Sequence, residues 1–572
     1  MARRERVALD AQTLYILKQT AQHFSDNHKQ AYLVGGSLRN LLLGELTVDW
    51  DIVTDGDAPR LARHLADKLG GHYAHMNEKA SRVVVKQDTG EIVLDISPLN
   101  GKTIEDDLLR RDFTINAMAA ALGDVVREAE RLSPPLAPSS PSAERPSPPA
   151  ERPSPSPGRP QGSPLPYYDG GALVVGTMGQ GVLIDPTGGL ADIAARRLRA
   201  VDDDIFKHDP LRMMRAVRLM MRYGLSMEPE TEKLLTRDVQ LLRNVAAERV
   251  HDELYAILEP EGASGRLRFL DEHGLFTVIF PEFIPARGMR QPYPHYWDVL
   301  EHSIEAVGML ERLTTILHVG AQFIAANNLM PTASASEDLV EIRVLLHEAE
   351  EQGIFSFDAL KSPRVKLAAL LHDIGKTVTY ATDEEGHIHF YYHPQAGVPL
   401  AQEIMKRLRA STQDRRFVQQ VVAHHMRPGQ LGQDGPVTPR ATRRYFADLG
   451  PVGIYVMLIS LADHLATFGP QPLGGSWERH LGVVRLLLTR YIRERESILP
   501  PRLISAEELM RRLHLEPGPQ VGQLLELIAE AQAEGRIHSK EEAVWLAEDA
   551  RASAREVPDK DEPSINVERS EE

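Results

Sequence analysis

The segment "GGSLRNLLLGELTVDWDIVTD", Gly35 to Asp55, sets two glycines ahead of a helical run and two aspartates one residue apart behind it. Asp49 and Asp51 fall at i and i+2 of a predicted strand, so both carboxylates project from one face. Carboxylates held side by side repel, and a divalent cation between them removes the repulsion. The apolar "YLV", the Gly35-Gly36 turn and the helix start that follows offer backbone N–H groups and a positive dipole end to an anion, most often a phosphate. Arg39, one turn into that helix, adds charge. Asp95, in the apolar strand "EIVLDIS", is a third carboxylate that can complete a metal site or accept a proton. One or two magnesium ions bridging a nucleoside triphosphate and an attacking hydroxyl suit this set.

Two further segments extend the chemistry. "DLLRRDFTINAMA" places Arg110, Arg111 and Asp112 before a buried-looking run, and "FKHDPLRMMRAVRL" puts Asp209 and Arg212 at i and i+3, predicted to share one helix face. Cytosine and adenine both pair an exocyclic amine with an unprotonated ring nitrogen, so an aspartate acceptor beside an arginine donor selects C and A without a template. Taken alone, the same pair reads as a surface ion pair. Arg212, Arg215, Arg218 and Arg222 form a stripe that, taken alone, is an ordinary solvated helix face.

A second constellation lies downstream. His372 and Asp373 are adjacent in "LLHDIGK", accompanied by His302, His393, His424, His425 and Asp463 on other predicted helices. Imidazoles and carboxylates from several helices can enclose a divalent transition metal. The alternative is a set of individually satisfied core or surface histidines.

The elements that must position these groups follow from the pattern. At 572 residues the chain exceeds one core. It has no cysteine, which excludes disulfides, thiolate metal sites and cysteine nucleophiles, and fits a cytoplasmic location. No apolar run reaches membrane-spanning length, and the N-terminus reads as an amphipathic helix without an export signal, so no membrane partner is expected. The net charge of −16 is a weak guide to nucleic-acid binding, which depends on where cations lie. Residues 30–125 alternate strands and helices; from Asp192 the pattern is helical nearly to the end. The Pro-rich "SPPLAPSSPSAERPSPPAERPSPSPGRPQGSPLP" reads as an extended insertion at the tip of a hairpin formed by "INAMAAAL" and "GVLIDPTGG".

These motifs, in this order, resemble the bacterial tRNA nucleotidyltransferases and poly(A) polymerases, class II of the polymerase β-like superfamily. The carriers are "GGSLRNLLLG…DWD", "RRDFTINAMA", "DPTGGLADIAARRLRAV" and "HDPLRMMRAVR", with "LISAEELMRRLHLEPGPQVGQLLELIAEAQAEGRIHSKEEA" similar to the family's tail. The resemblance implies an α+β multidomain fold: a small mixed-sheet nucleotidyltransferase head (1–200, with the insertion at about 130–167), then an all-α body. That body comprises a neck (201–285), an HD domain (286–500), an RNA-binding tail (501–548) and a disordered acidic end (549–572). Asp49 and Asp51 are implied to bind the catalytic Mg2+, with Asp95 kept beside them as the third catalytic carboxylate. Gly35, Gly36, Arg39 and Arg111 would serve the triphosphate, Asp112 the ribose 2′-hydroxyl, and Asp209, Arg212 and Arg215 the base or its surroundings. CTP, ATP and the acceptor arm of tRNA are the implied partners.

The later cluster resembles the HD phosphohydrolase superfamily, with His302, His372, Asp373 and Asp463 as core ligands and His393 with His424 (or its neighbour His425) serving a second metal. Such a domain could hydrolyse 2′,3′-cyclic phosphates or 2′-phosphates, or act as a scaffold that grips RNA. Asn40 and His208 depart from the family pattern, which has aspartate and glutamate there. The interval "DISPLNGKTIEDDLLR", Asp95 to Arg110, is short; members adding the full CCA end usually carry a longer flexible loop, so CC addition is favoured. Full CCA addition and poly(A) synthesis are alternatives within the class. A hydrolase with a decaying head, and a non-catalytic RNA-binding protein, are alternatives of other classes.

Overall fold

A computed structural model describes residues 9–45, 47–76, 78–87, 90–132, 183–320, 333–433 and 435–555. The chain divides into two compact units, Met1–Asn244 and Val245–Glu572.

The first unit is built on a seven-stranded mixed sheet of order β3-β4-β5-β2-β1-β6-β7. The strands are β1 (Ala31–Val34), β2 (Asp49–Thr54), β3 (His72–His75), β4 (Ser81–Gln87), β5 (Gly90–Pro98), β6 (Ala119–Ala121) and β7 (Leu183–Ile184). Among the described strands of this sheet β2 and β5 are the parallel pair, and their register sets Asp51 opposite Asp95. The antiparallel β4–β5 ladder then sets Arg82 on the other side of Asp95. Period-2 alternation sends Trp50, Ile52, Leu94 and Ile96 to the opposite face, where they are fully buried. There they join Leu17 and Phe24 of α1 (Ala11–Asp26), Leu38 and Leu41 of α2 (Gly35–Leu43), and Leu61 and Leu65 of α3 (Ala58–Leu69) in one core. The carboxylate face is therefore the side that α1, α2 and α3 leave uncovered; beyond the aspartates Val53 on this face is buried with Ile104 and Leu108.

β6 and β7 pair antiparallel, Ala119 with Ile184 and Ala120 with Leu183, as the hairpin reading expects. A helix, Leu122–Leu132, follows β6 before the Pro-rich segment begins. The Pro-rich insertion lies outside the described residues, as does the acidic end after residue 555. The preceding helix runs Lys540–Arg555, past the expected boundary at 548, because "DARASAR" continues with helix formers rather than a breaker.

The second unit is helical apart from a short two-stranded pair, Ala381–Thr382 with Ile388–His389. Val452–Phe468 is its central helix, buried along most of its length, and packs against Val299–Val319. Among the described residues no single helix is long and apolar enough to cross a membrane; Pro439–Leu449 with Val452–Phe468 qualifies only jointly and is bent by 106°. Near the C-terminus, Leu509, Leu524, Ile528 and Ala543 form a separate small core. This end is tied to helix Pro439–Leu449 by Arg440 and Arg444 on the buried Glu530, and by Arg443 on Glu526.

Candidate functional site

In the first unit the uncovered sheet face opens into a cleft of about 410 Å³, lined among others by Gly35, Gly36, Asp51, Asp95, Arg111 and Arg215. Helix α2 begins at the glycines themselves, with Gly35 at φ +63°. A Cβ on Gly35 would meet Arg111 Nη1 at 3.0 Å and Asp51 Oδ2 at 3.3 Å; one on Gly36 would meet Asp51 Oδ2 at 3.4 Å. The glycines thus let the helix start approach the carboxylate. Ser37 fastens the two: its N–H donates to Asp51 Oδ2 at 3.3 Å, and the Asp51 N–H donates to Ser37 Oγ at 3.0 Å. Burial pushes the Asp51 carboxyl above its usual range against the pull of Ser37 and Arg111, and Asp95 adds to the rise. Asp49 projects from the same face, exposed, and is not among the residues lining the cleft.

Asp95 does not stand free. Arg82 donates Nε to Oδ1 and Nη2 to Oδ2, both at 2.8 Å, a bidentate pair. On the opposite wall Arg111 is held by Asp107 at 2.9 Å, and Arg212 donates to the carbonyls of Arg110 (3.1 Å) and Arg111 (3.5 Å). Asp112 is buried, accepts from the Phe113 N–H and Asn116 Nδ2, and lies 3.7 Å from Arg215. Burial pushes its carboxyl up, but Arg215, Asn116 and the Phe113 N–H outweigh it and hold the group below its usual range.

Two expectations are corrected here. Arg39 is not among the residues that line the cleft. It is 6% exposed and donates to Asn116 Oδ1 (2.5 Å), Asn40 Oδ1 (2.9 Å) and the Tyr223 hydroxyl (2.7 Å), with its guanidinium 4.4 Å from the Tyr223 ring. Its length lets it reach through the helix start to a partner 184 residues away. Asn40 also accepts from the Tyr223 hydroxyl at 2.9 Å, so an amide oxygen suffices where the family pattern has a carboxylate. Nor do Asp209 and Arg212 share a helix face. Asp209 is extended (φ −150°, ψ 101°) after helix Ile205–His208, and Arg212 opens helix Arg212–Tyr223. Pro210, with no N–H to donate, falls in the turn between them. Asp209 instead accepts from the Leu211 N–H at 3.2 Å, and it is not among the cleft-lining residues.

Sequence reasoning missed Ser37, Asn116, Tyr223, Arg82 and Asp192. Asn116 was within reach, since it follows Asp112 by four residues. Tyr223 and Arg82 carry no local signal. Asp192, fully buried, accepts from Thr114 Oγ1 and pairs with Arg197 and Arg199, fixing the short turn that presents Asn116.

In the second unit the expected ligands do converge. His302, His372, Asp373 and Asp463 offer ligand atoms all within 4.8 Å of one another, and Asp373, His393 and His425 do the same. The Asp373 carboxylate is shared: Oδ2 lies 3.3 Å from both His302 and His372 Nε2, and Oδ1 lies 3.2 Å from His393 and 3.5 Å from His425 Nε2. His425 fills the place given to His424. Both lie at the end of helix Thr412–His424, and the 100° step between them turns His425 inward to full burial.

The donor chemistry fits metal ions. Nδ1 of His372, His393 and His425 face the carbonyls of Ala369 (2.7 Å), Phe390 (2.9 Å) and Val422 (2.9 Å), which only accept. Each Nδ1 therefore keeps a proton, so whenever a ring is neutral its lone pair lies on Nε2, turned toward the cluster. His393 and His425 then face each other lone pair to lone pair at 3.3 Å, which a cation relieves. His302 and His372 Nε2 are buried with no aligned hydrogen-bond partner. Lys376 Nζ stands 2.5 Å from Asp373 Oδ2. Burial lowers the His372 imidazole, but Asp373 and Asp463 more than reverse this, to about 10.

Three segments of the chain match known protein families. Residues 31–129 match the poly A polymerase head domain, 224–287 the probable RNA and SrmB-binding site of polymerase A, and 299–467 the HD domain. A CC-adding tRNA nucleotidyltransferase of Thermus thermophilus is 30% identical over 527 residues, covering 90% of this chain and 92% of its own. The chain belongs to the tRNA nucleotidyltransferase family. An A-adding tRNA nucleotidyltransferase of Deinococcus radiodurans is 29% identical over 527 residues, covering 90% and 94%. The fold is that of a CCA-adding enzyme in its apo form, with TM-score 0.54, 19% identity and 95% of each chain covered.

For a family whose chemistry uses divalent cations, the head also offers carboxylates to one: Asp51 and Asp95 are in register, Asp49 shares their face, and burial holds the Asp51 carboxyl above its usual range. In the HD domain of this tRNA nucleotidyltransferase, His425→Ala is expected to lower the number of Mn2+ or Ni2+ ions retained per chain after gel filtration. His424→Ala leaves that number unchanged. Equal loss in both would refute the assignment of His425.

A pH dependence follows from the same unit. His480 is buried, with Ser460 Oγ 3.1 Å from Nε2 and His464 Nδ1 3.4 Å from its Nδ1. Burial, and then His464, push it from 6.5 down to about 3. The native state binds fewer protons than the unfolded one, so this contribution is full above pH 6.5 and is lost as pH falls toward 3. His480→Gln is expected to flatten the acid limb of urea-unfolding stability between pH 6.5 and 4; an unchanged slope would contradict it.

Proposed function

We propose that the head adds C, or C and then A, to tRNA 3′ ends from CTP and ATP, without a template and with Mg2+. The observation that carries this reading is the cross-strand row of Asp51 and Asp95 beside a glycine helix start and facing Arg111, Arg212 and Arg215. Asp49, Asp51 and Asp95 would hold Mg2+, which supplies charge to a triphosphate and its leaving group. The terminal hydroxyl of the tRNA attacks the α-phosphorus; the new P–O bond forms as the bond to the β-phosphate bridge breaks, and pyrophosphate leaves. The hydroxyl proton passes to a carboxylate, for which Asp95 is the candidate. Arg111 would take the triphosphate, Asp112 the ribose 2′-hydroxyl, and Arg212 and Arg215, with Asp209 at the turn before them, the base and its surroundings. The relatives named CC-adding and A-adding support the same chemistry.

CC addition is favoured by the folded state of the interval 95–110. β5 ends at Pro98, a short turn follows, and Ile104–Leu108 is a helix closed by a capping box between Thr103 and Asp106. Ile104 and Leu108 are buried, which leaves no long free loop. A neck at 201–285, an HD domain at 286–500 and a tail at 501–548 would grip the acceptor arm by shape and phosphate contacts. The absence of cysteine fits work in the cytoplasm.

A second activity is favoured by one feature, the Asp373 carboxylate shared between two ligand sets. His302, His372, Asp373 and Asp463 on one side, and His393 and His425 on the other, suit a metal-dependent phosphohydrolase acting on 2′,3′-cyclic phosphates or 2′-phosphates. The two readings separate in one experiment. Asp49→Ala/Asp51→Ala should lower nucleotide incorporation by about 10²-fold or more, the scale for removing one electrostatic stabiliser, while any phosphatase activity stays intact. Surviving incorporation would show that the metal site is elsewhere.

A further inference from the structure

We propose that Arg82 is a positioning residue that occupies the third carboxylate of the head and competes with the divalent cation for it. This rests on the reading of the head as the nucleotide-transfer site. Three side chains stand in one cross-strand row, Arg82, Asp95 and Asp51, fixed by the β4–β5 and β5–β2 registers. The guanidinium takes both oxygens of Asp95 at 2.8 Å. A carboxylate held by this fork has committed one lone pair on each oxygen, so it cannot chelate an ion or accept a proton in the same direction. The Asp95 side chain is 21% exposed and that of Arg82 42%, so the arginine is the partner with room to leave.

The electrostatics run the same way. Arg82 is held charged first by its hydrogen bonds to Asp95, with Asp49 and Asp51 adding attraction. One guanidinium thus lessens the mutual repulsion of all three carboxylates. A divalent ion arriving between them does the same and makes Arg82 redundant at Asp95. The two cations are alternatives, and the exchange frees a guanidinium at the edge of a site that is about to receive a polyanion. Arg82 therefore sets the cation concentration at which the head becomes competent, without touching the reacting atoms.

The test uses the full-length protein with Arg82→Gln, Arg82→Lys and Asp95→Asn. Mn2+ binding is measured without nucleotide by the EPR signal of the free ion, and the head's share is the part lost in Asp49→Ala/Asp51→Ala. Arg82→Gln should tighten the head's Mn2+ binding about five-fold, the size expected for a partly exposed ion pair. It should also shift the Mg2+ concentration for half-maximal CMP incorporation down by the same factor, with KM for CTP unchanged. Arg82→Lys, which keeps the charge but not the fork, should fall between wild type and Gln; Asp95→Asn should weaken binding. A merely structural arginine would lower activity without moving the Mg2+ midpoint. Unchanged or weaker Mn2+ binding in Arg82→Gln would overturn the proposal. If wild type adds no nucleotide at all, the reading of the head fails separately, because the Mn2+ measurement does not depend on turnover.

Discussion

The head depends on the parallel pairing of β2 with β5. In a parallel ladder the register is set along both strands at once, and a one-residue slip would send Asp95 into the core and Leu94 into the cleft. The buried row of Trp50, Ile52, Leu94 and Ile96 excludes that slip, because those side chains have nowhere else to go. The hydrophobic core therefore does more than hold the sheet. It decides that Asp51 and Asp95 lie side by side, the arrangement on which the proposed cation site rests.

Both sites set a basic side chain against a clustered carboxylate. In the head, Arg82 straddles Asp95; in the HD domain, Lys376 stands against Asp373. In the head Arg82 is 42% exposed, so burial does not fix it on its partner. The HD pair is buried, and its imidazoles are already turned inward by their Nδ1 contacts to carbonyls. One site is arranged for exchange, the other is preset.

Much of this was legible in the sequence because its signals are local. The period of two in "DWDIVTD", the glycine pair, and the hairpin strands flanking the Pro-rich run each need only a few neighbours to interpret. The HD ligands were legible as a set because histidine and aspartate at helix ends have few structural uses in such number. What escaped depends on distance or on a small rotation. Arg39 looked like a phosphate ligand because it sits one turn into α2, yet its partners Asn116 and Tyr223 lie 77 and 184 residues away. Asp209 and Arg212 had helical spacing, but Pro210 breaks the helix between them. His424 and His425 differ by one residue, and only the packing of helix Thr412–His424 shows which faces inward.

The most direct measurement of the central claim is primer extension with Mg2+ on tRNAs ending before the CCA, after the first C and after CC, with CTP and ATP supplied singly and together. Product length is read on a denaturing gel. The structure predicts growth by two C residues on the shortest tRNA, by one on the next, and none on a tRNA ending in CC. Addition of A would overturn the inference from the short 95–110 interval and leave nucleotide transfer standing. Failure of the folded protein to extend any of the three would contradict the assignment of the head as a tRNA-directed transferase.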